Sequence, residues 1–344
     1  MKKTIWLFFI FFIAASLPSS NSLVKYAEID SLALKSIDLV HQSQFEEALQ
    51  ILKEITNSYP EEPIGYFFTA AACQNLIDIF RNEKYKKEFE QNIEIAIQKA
   101  DKKLNSSTPS ARDYFYAGAS YGYRGIYRSF RGNWWGAFWD GGRGKKYMEK
   151  ALELDSTLYD AYYGLGTYHY WRSVKSKIFW WLPFIGDNRK KGIEYTKLSI
   201  LKGKFARDEA KYSLVRIYAE EKDYPNVLLW ADSVQKINPQ DLYSRWFVGL
   251  AYMGLGKWEE AEKTYQELIS LCKSTPYYDL AAEVEARYQL ALIYYTRNLF
   301  SQALEQIGFI YAHQEEVKDN DYTKPFLEKA QDLRKKIEQR QKAK

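Results

Sequence analysis

Histidine and cysteine are scarce in this chain. Among 344 residues there are three histidines, His41, His169 and His313, and two cysteines, Cys73 and Cys272. The histidines lie far apart, and a zinc site needs several ligands brought together, so no metal centre is expected. No H-E-x-x-H, no glycine-rich phosphate loop and no Cys/His cluster occurs. Their absence removes the common metalloprotease and nucleotide-binding chemistries. His169 reads as a packed or hydrogen-bonded residue rather than a catalyst. Asp140, Asp160 and Asp187 fall in the same central stretch, but sequence distance alone does not pair carboxylates. The expectation is a protein that is not an enzyme and needs no cofactor. Cys73 and Cys272 read as buried free thiols, not a disulfide. Low-complexity stretches and a Pro/Gly/Ser-rich linker are also missing, so nothing marks a hinge between separate domains.

A strong charge of one sign is missing as well. The chain has 49 basic and 44 acidic side chains, a net of +5. That balance argues against non-specific nucleic-acid binding. The distribution is uneven. Residues 23–111 carry 10 Lys/Arg and 14 Asp/Glu, a net of −4, and residues 112–204 carry 17 and 8, a net of +9.

Near the start, Lys2 and Lys3 precede an apolar run from Ile5 to Ala15, then Pro18 and a Ser/Asn stretch. The run is shorter than the roughly 20 residues that span a bilayer. Residues 1–22 read as a secretory signal peptide, with an uncleaved anchor as the alternative. No cysteine stands near the cleavage region, so lipid attachment there is not expected. The protein is therefore expected to be exported, to the periplasm or cell envelope.

What the chain does have is repetition. Tyr224, Trp258 and Phe300 each follow a tyrosine six residues earlier (Tyr218, Tyr252, Tyr294). Each precedes, by three, a small residue (Val227, Ala261, Ala303). The first two units are 34 residues apart, and the third follows after 42. Around them stand Leu214, Val215, Ala231 and Pro239, then Val248, Gly249, Gly256, Tyr265 and Leu268, then Leu290, Ala291, Ile307 and Ile310. Phe45, Ala48, Leu52, Ile55 and Pro60 fit the same frame, and Tyr162, Leu165 and Gly166 fit it in part. This pattern resembles the tetratricopeptide repeat, with its 34-residue helix-turn-helix unit. The resemblance implies an all-α, right-handed solenoid of about six or seven pairs, over most of residues 26–312. It also implies a concave groove that holds a protein or peptide segment. The small residue lets two helices of a pair approach, and stacked pairs bury what one pair cannot.

The expected pairs are 26–59, 63–80 with 84–104, 110–131 with 134–155, and 158–172 with 188–203. Three regular pairs fill 206–312, and an amphipathic helix over 322–341 caps the end. In larger blocks these are N-terminal repeats (23–105), divergent central repeats (106–204), regular repeats (205–312) and a C-terminal cap and tail (313–344). An insertion, 173–187, interrupts the central block.

The central block holds six of the ten tryptophans, and the repeat pattern is weakest there. On the helix from residue 110, Phe115, Ala119, Gly122, Ile126 and Phe130 share one face, expected to be packed. The opposite face carries Tyr114, Ala117, Tyr121, Arg124, Arg128 and Arg131. Three guanidiniums on one strip would grip carboxylate or phosphate groups, or else pair with acids of a neighbouring repeat. Trp134, Trp135, Phe138 and Trp139 form a stripe that is either solenoid core or a ligand-facing aromatic wall. Gly141, Gly142 and Gly144 point to close backbone packing. The insertion places Phe179–Ile185, with Trp180 and Trp181, between Lys177 and Asp187. It is expected to fold back into the groove, with a peripheral membrane contact as the alternative. Arg189, Lys190 and Lys191 open the next helix, where the macrodipole favours an anionic neighbour.

The candidate binding residues are therefore Tyr121, Arg124, Arg128, Arg131, Trp134, Trp135, Trp139, His169, Trp171, Trp181 and Arg189. The leading expectation is a non-enzymatic scaffold for a protein segment or an anionic envelope component. The alternatives are a small-ligand accessory protein of transport with an aromatic pocket, and a membrane-associated envelope scaffold. Nucleic acid is not an expected partner.

Overall fold

The computed structural model describes residues 20–176 and 186–342. The expected signal segment and the aromatic stretch Phe179–Ile185, with Trp181, lie outside the described residues in whole or in large part. Every regular element among the described residues is helical. Seven pairs follow one another: α1 (Ser20–His41) with α2 (Phe45–Ser58), α3 (Pro63–Phe80) with α4 (Lys86–Leu104), and α5 (Ala111–Phe130) with α6 (Trp134–Leu154). Next come α7 (Asp160–Ser176) with α8 (Arg189–Lys202), and α9 (Arg207–Glu220) with α10 (Tyr224–Gln235). The last pairs are α11 (Leu242–Gly254) with α12 (Trp258–Lys273), and α13 (Leu280–Thr296) with α14 (Phe300–Ala312). A short α15 (Gln314–Val317) and a long α16 (Lys324–Lys342) follow. α16 packs on α13 and α14 through Ala330, Leu333 and Ile337, the expected cap.

The turns inside the pairs share one chemistry. The residue two places before the second helix has positive φ in five of them: Ser43, Gly132, Lys222, Gly256 and Asn298. In each, the next amide donates back to the carbonyl five residues earlier, as Gln44 does to Leu39 and Lys257 to Tyr252. This closure satisfies carbonyls that a helix end leaves orphaned. Side chains complete the other ends. Ser110 and Asp113 form a reciprocal cap on α5, and Asn133, Asp223, Asp241 and Asp279 each accept an amide at a helix start. Such caps are each worth about 1 kcal/mol.

The pair contacts are of two kinds. In the regular repeats the second helix brings a buried alanine to the seam, Ala261 or Ala303, with no exposed surface. In the central pairs backbone meets backbone. A methyl on Gly144 would stand 3.1 Å from the Gly118 carbonyl, and one on Gly192 would stand 2.8 Å from that of Gly166. The expectation of close packing is met at Gly144 but not at Gly142, where an added methyl would meet open space.

From α1 to α11 each first helix packs on the next first helix, and the second helices of the pairs make no comparable contact with one another. The first helices thus form the inner layer and the second helices the outer one. An inner helix has neighbours on most sides, and this alters the expected face of α5. Phe115 and Ala119 are buried and Gly122 and Ile126 half-buried, but Phe130 is 41% exposed. Ala117 and Tyr121, expected on the opposite face, are buried too.

Repeats distant in sequence also touch. The rings of Phe45 and Phe80 pack on Tyr277 at 5.2 and 5.5 Å, and Arg81 pairs with Glu285 at 2.7 Å. The loop between α15 and α16 joins the same corner: Asn320 donates to the Arg81 carbonyl (2.9 Å), and Tyr322 donates to Asp78 (3.2 Å). The superhelix therefore closes on itself, N-terminal pairs against C-terminal ones. Cys73 and Cys272 are free and buried in different core clusters.

Candidate functional site

Closure turns the inner layer into a lined interior. Residues on α3, α5, α7, α9 and α11 that face away from the pair seams meet there. Tyr212 stacks on His41 at 5.4 Å and lies 5.8 Å from Tyr243. Tyr123 meets Phe67 edge-on at 5.1 Å. Burial pushes the phenols of Tyr123 and Tyr163 well up, and the nearby Glu209 carboxylate adds to both. Tyr243 is also pushed up, by burial against the opposing pull of Arg216. These groups are neutral hydroxyls at any ordinary pH and can donate hydrogen bonds.

Arg216 is the unusual member. Its guanidinium is stacked between two rings, 4.6 Å from Phe130 and 4.8 Å from Trp171. Among the described residues it has no ion pair and no hydrogen bond. Its field reaches Asp78, whose carboxyl is nonetheless raised because burial outweighs Gln74, Arg81 and Arg216. Gln74 is 6% exposed, and neither atom of its amide makes a hydrogen bond of ordinary geometry. A half-buried cation held by aromatic faces keeps its donor fork available for an acid.

The arginines singled out by their spacing are differently placed. Arg124 holds Asp140 through Nε and Nη2 at 2.8 and 2.9 Å, and Glu94 through Nη1 at 2.6 Å. Arg128 reaches the same Asp140 at 2.7 Å, and Arg131 pairs with Asp321 at 2.7 Å and Glu83 at 2.9 Å. Tyr121 donates to Asp101 at 2.8 Å. The strip is thus an internal ionic network around a buried carboxylate, Asp140, at 2% exposure. It is not a free cationic surface. Arg189 is likewise held, by Asp187 (2.7 Å) and Glu221 (2.9 Å), which supplies the anionic neighbour expected there.

His169 is buried between Tyr168 and Tyr195. Burial, then Lys191 and Lys145, push its imidazole below its ordinary value, so it is neutral at pH 7. Among the described candidates, Trp171 borders the interior, through Arg216. Trp134, Trp135 and Trp139 are neither core nor part of the interior. They stand 52%, 77% and 63% exposed on the outer helix α6, with Phe138 at 61%. The expected site therefore divides into an inner part, an ionic seam and an outer aromatic face.

Sequence reasoning missed Tyr123, Tyr163, Arg216 and Tyr243. Arg216 lies beside Val215 and two residues before Tyr218, both read as packed repeat positions. Residues between such positions on a first helix face the other way, which is the signal that would have pointed to them.

Among the described residues no group of His, Cys, Asp and Glu is arranged to hold a metal ion, and no helix is long and apolar enough to cross a membrane.

Residues 248–273 match the family model for the tetratricopeptide repeat. Among solved structures, the chain is similar to a Rap protein complexed with competence and sporulation factor: 14% identity, 87% of this chain, 80% of that one, TM-score 0.54. It is also similar to the C-terminal part of a TPR repeat-containing protein from Cytophaga hutchinsonii, at 17% identity, 81% and 94% coverage and a TM-score of 0.42. For yeast Tom70 the values are 14% identity, 93% and 72% coverage and a TM-score of 0.44. No curated protein matches the chain.

Proposed function

Because the chain is a tetratricopeptide-repeat solenoid, we propose that it is a non-enzymatic scaffold that holds an extended protein segment against its inner face. The observation that carries this reading is Arg216. A guanidinium between Phe130 and Trp171, without an acid of its own, calls for a carboxylate from outside. The hydroxyls of Tyr123, Tyr163 and Tyr243 and the Gln74 amide supply donors suited to a peptide backbone. The segment is accordingly acidic at one position and neutral around it. The Rap protein of the same fold is seen in complex with a second molecule, the competence and sporulation factor, which supports a binding role for this architecture.

The setting is proposed to be the cell envelope, reached by export. Lys2, Lys3 and the apolar run Ile5–Ala15 support it. The anionic partner meets Arg216 rather than Arg124, Arg128 and Arg131, because those three already hold acids.

The test is affinity capture from envelope extract on immobilised native chain, beside Arg216→Gln and Arg128→Gln, with retained proteins identified by mass spectrometry. A protein kept by the native chain and Arg128→Gln but lost by Arg216→Gln supports the reading. Equal retention by all three overturns it.

A further inference from the structure

We infer that the outer face of α6 docks on an anionic lipid surface. Trp135, Phe138, Trp139, Gly142 and Lys146 follow one another at helical spacing and are all exposed, so they form one strip. Trp134 lies beside them at 52% exposure. Four large aromatic side chains together in water is an unusual expense for a stable solenoid and marks a contact surface.

The rim of the strip is cationic. Arg143 and Lys146 continue it along α6, and α7 adds Tyr168, Arg172 and Lys175, spaced to share one face. Tyr168 lies against Gly141, and the Lys175 ammonium stands 5.5 Å from the centre of the Trp134 ring. Lys146, Arg172 and Lys175 make no ion pair among the described residues. The one acid on α6 before Glu149 is Asp140, which is buried beneath Arg124 and Arg128. Indoles fringed by lysine and arginine, with no exposed acid between them, match the headgroup layer of an anionic bilayer. The shape agrees. α6 belongs to the outer layer, and a convex face meets a flat surface better than it grips an extended chain.

Cys73 and Cys272 are buried, so a polarity-sensitive thiol dye can be directed to one introduced site. The full-length chain carrying Phe138→Cys is labelled, beside a control labelled at Leu229→Cys, 60% exposed on α10. Both are mixed with vesicles of phosphatidylcholine alone or with phosphatidylglycerol. The N-terminal apolar run brings both proteins to vesicles alike, whereas the dye reports only its own face. The expected result is a blue shift at position 138 on phosphatidylglycerol vesicles, absent at 229 and lost with Lys146→Glu plus Lys175→Glu. An unshifted label at 138, an equal shift at 229, or an equal shift on neutral vesicles overturns the proposal. So does a shift without vesicles that grows with chain concentration, which would make the occupant a second protein molecule.

Discussion

The central pairs and the regular repeats solve one packing problem in opposite ways. In α9–α14 the seam between helices is filled by side chains: Val227, Ala261 and Ala303 approach, and Tyr218, Tyr265 and Tyr294 occupy the space around them. In α5–α8 the seam is closed by backbone, through Gly118 against Gly144 and Gly166 against Gly192. A seam closed by glycine has no room for large residues, so they go elsewhere. On the inner side Phe130 and Trp171 hold Arg216, and on the outer side Trp134, Trp135, Phe138 and Trp139 face water. The divergent block is therefore the part that offers surfaces, and the regular block the part that supports it.

The largest effect is expected where backbones touch. Gly192→Ala would put a methyl 2.8 Å from both the Gly166 carbonyl and the Tyr170 amide. α7 and α8 must then separate, at a cost of about 3 kcal/mol, the upper range for overpacking. Gly142→Ala, on the same block but facing open space, is expected instead to stabilise by about 1 kcal/mol through helix propensity. Urea melts of the two variants check the contrast; similar losses would show that the glycine seams are not special.

Next in size is Asp140→Asn. It leaves Arg124 and Arg128 with reduced compensation in a half-buried seam, and about 2 kcal/mol of stability should be lost. An exposed pair of the regular block gives the comparison: Asp232→Asn, which releases Lys236, should change the melt by no more than about 0.5 kcal/mol. Equal effects would return the arginine strip to the status of a solvated face.

A pH effect distinguishes the regular block. Glu283 is 1% exposed, and burial alone would raise its carboxyl. Lys273, Tyr278 and Arg287 outweigh burial and hold it below the ordinary carboxylate range. A group lowered in the fold contributes stability above its unfolded value, about 4.3, and loses it as pH falls through the lower folded value. The stability gap between the native chain and Glu283→Gln should therefore be widest near neutrality and close in acid. A gap that is constant with pH would show that the effect is steric.

The smallest effect lies in the turns. Asn298 and Lys222 hold φ of 60° and 57°, where Gly132 and Gly256 stand in sister pairs. Asn298→Gly and Lys222→Gly are expected to raise stability by about 0.5 kcal/mol each, the balance of relieved strain against added chain entropy. Thermal melts check the sign, and losses would contradict it.

The helices were legible in the chain because they are local. Spacing placed one at 110–131 and the structure has it over Ala111–Phe130, and 63–80 coincides with Pro63–Phe80. Gly144 was legible as a tight contact because it falls where a repeat needs a small residue. Closure was not, since meetings such as Arg81 with Glu285 depend on superhelical twist summed over five pairs. For the same reason the partners of Arg124 and Arg128 were only half visible. Asp140 is near in sequence, but its burial beneath them follows from how closely α5 and α6 approach. Arg216 was only indirectly legible: the repeat pattern names the residues that face the seam, and those that face the interior are read from the gaps between them.

That binding at the inner face depends on Arg216 is tested most directly by one titration. A segment of the captured protein, fluorescently labelled, is titrated with native chain, Arg216→Gln and Arg128→Gln. At least a tenfold loss of affinity in Arg216→Gln, with Arg128→Gln near native, is the predicted result. Native affinity in Arg216→Gln would contradict the account and move the site away from the interior.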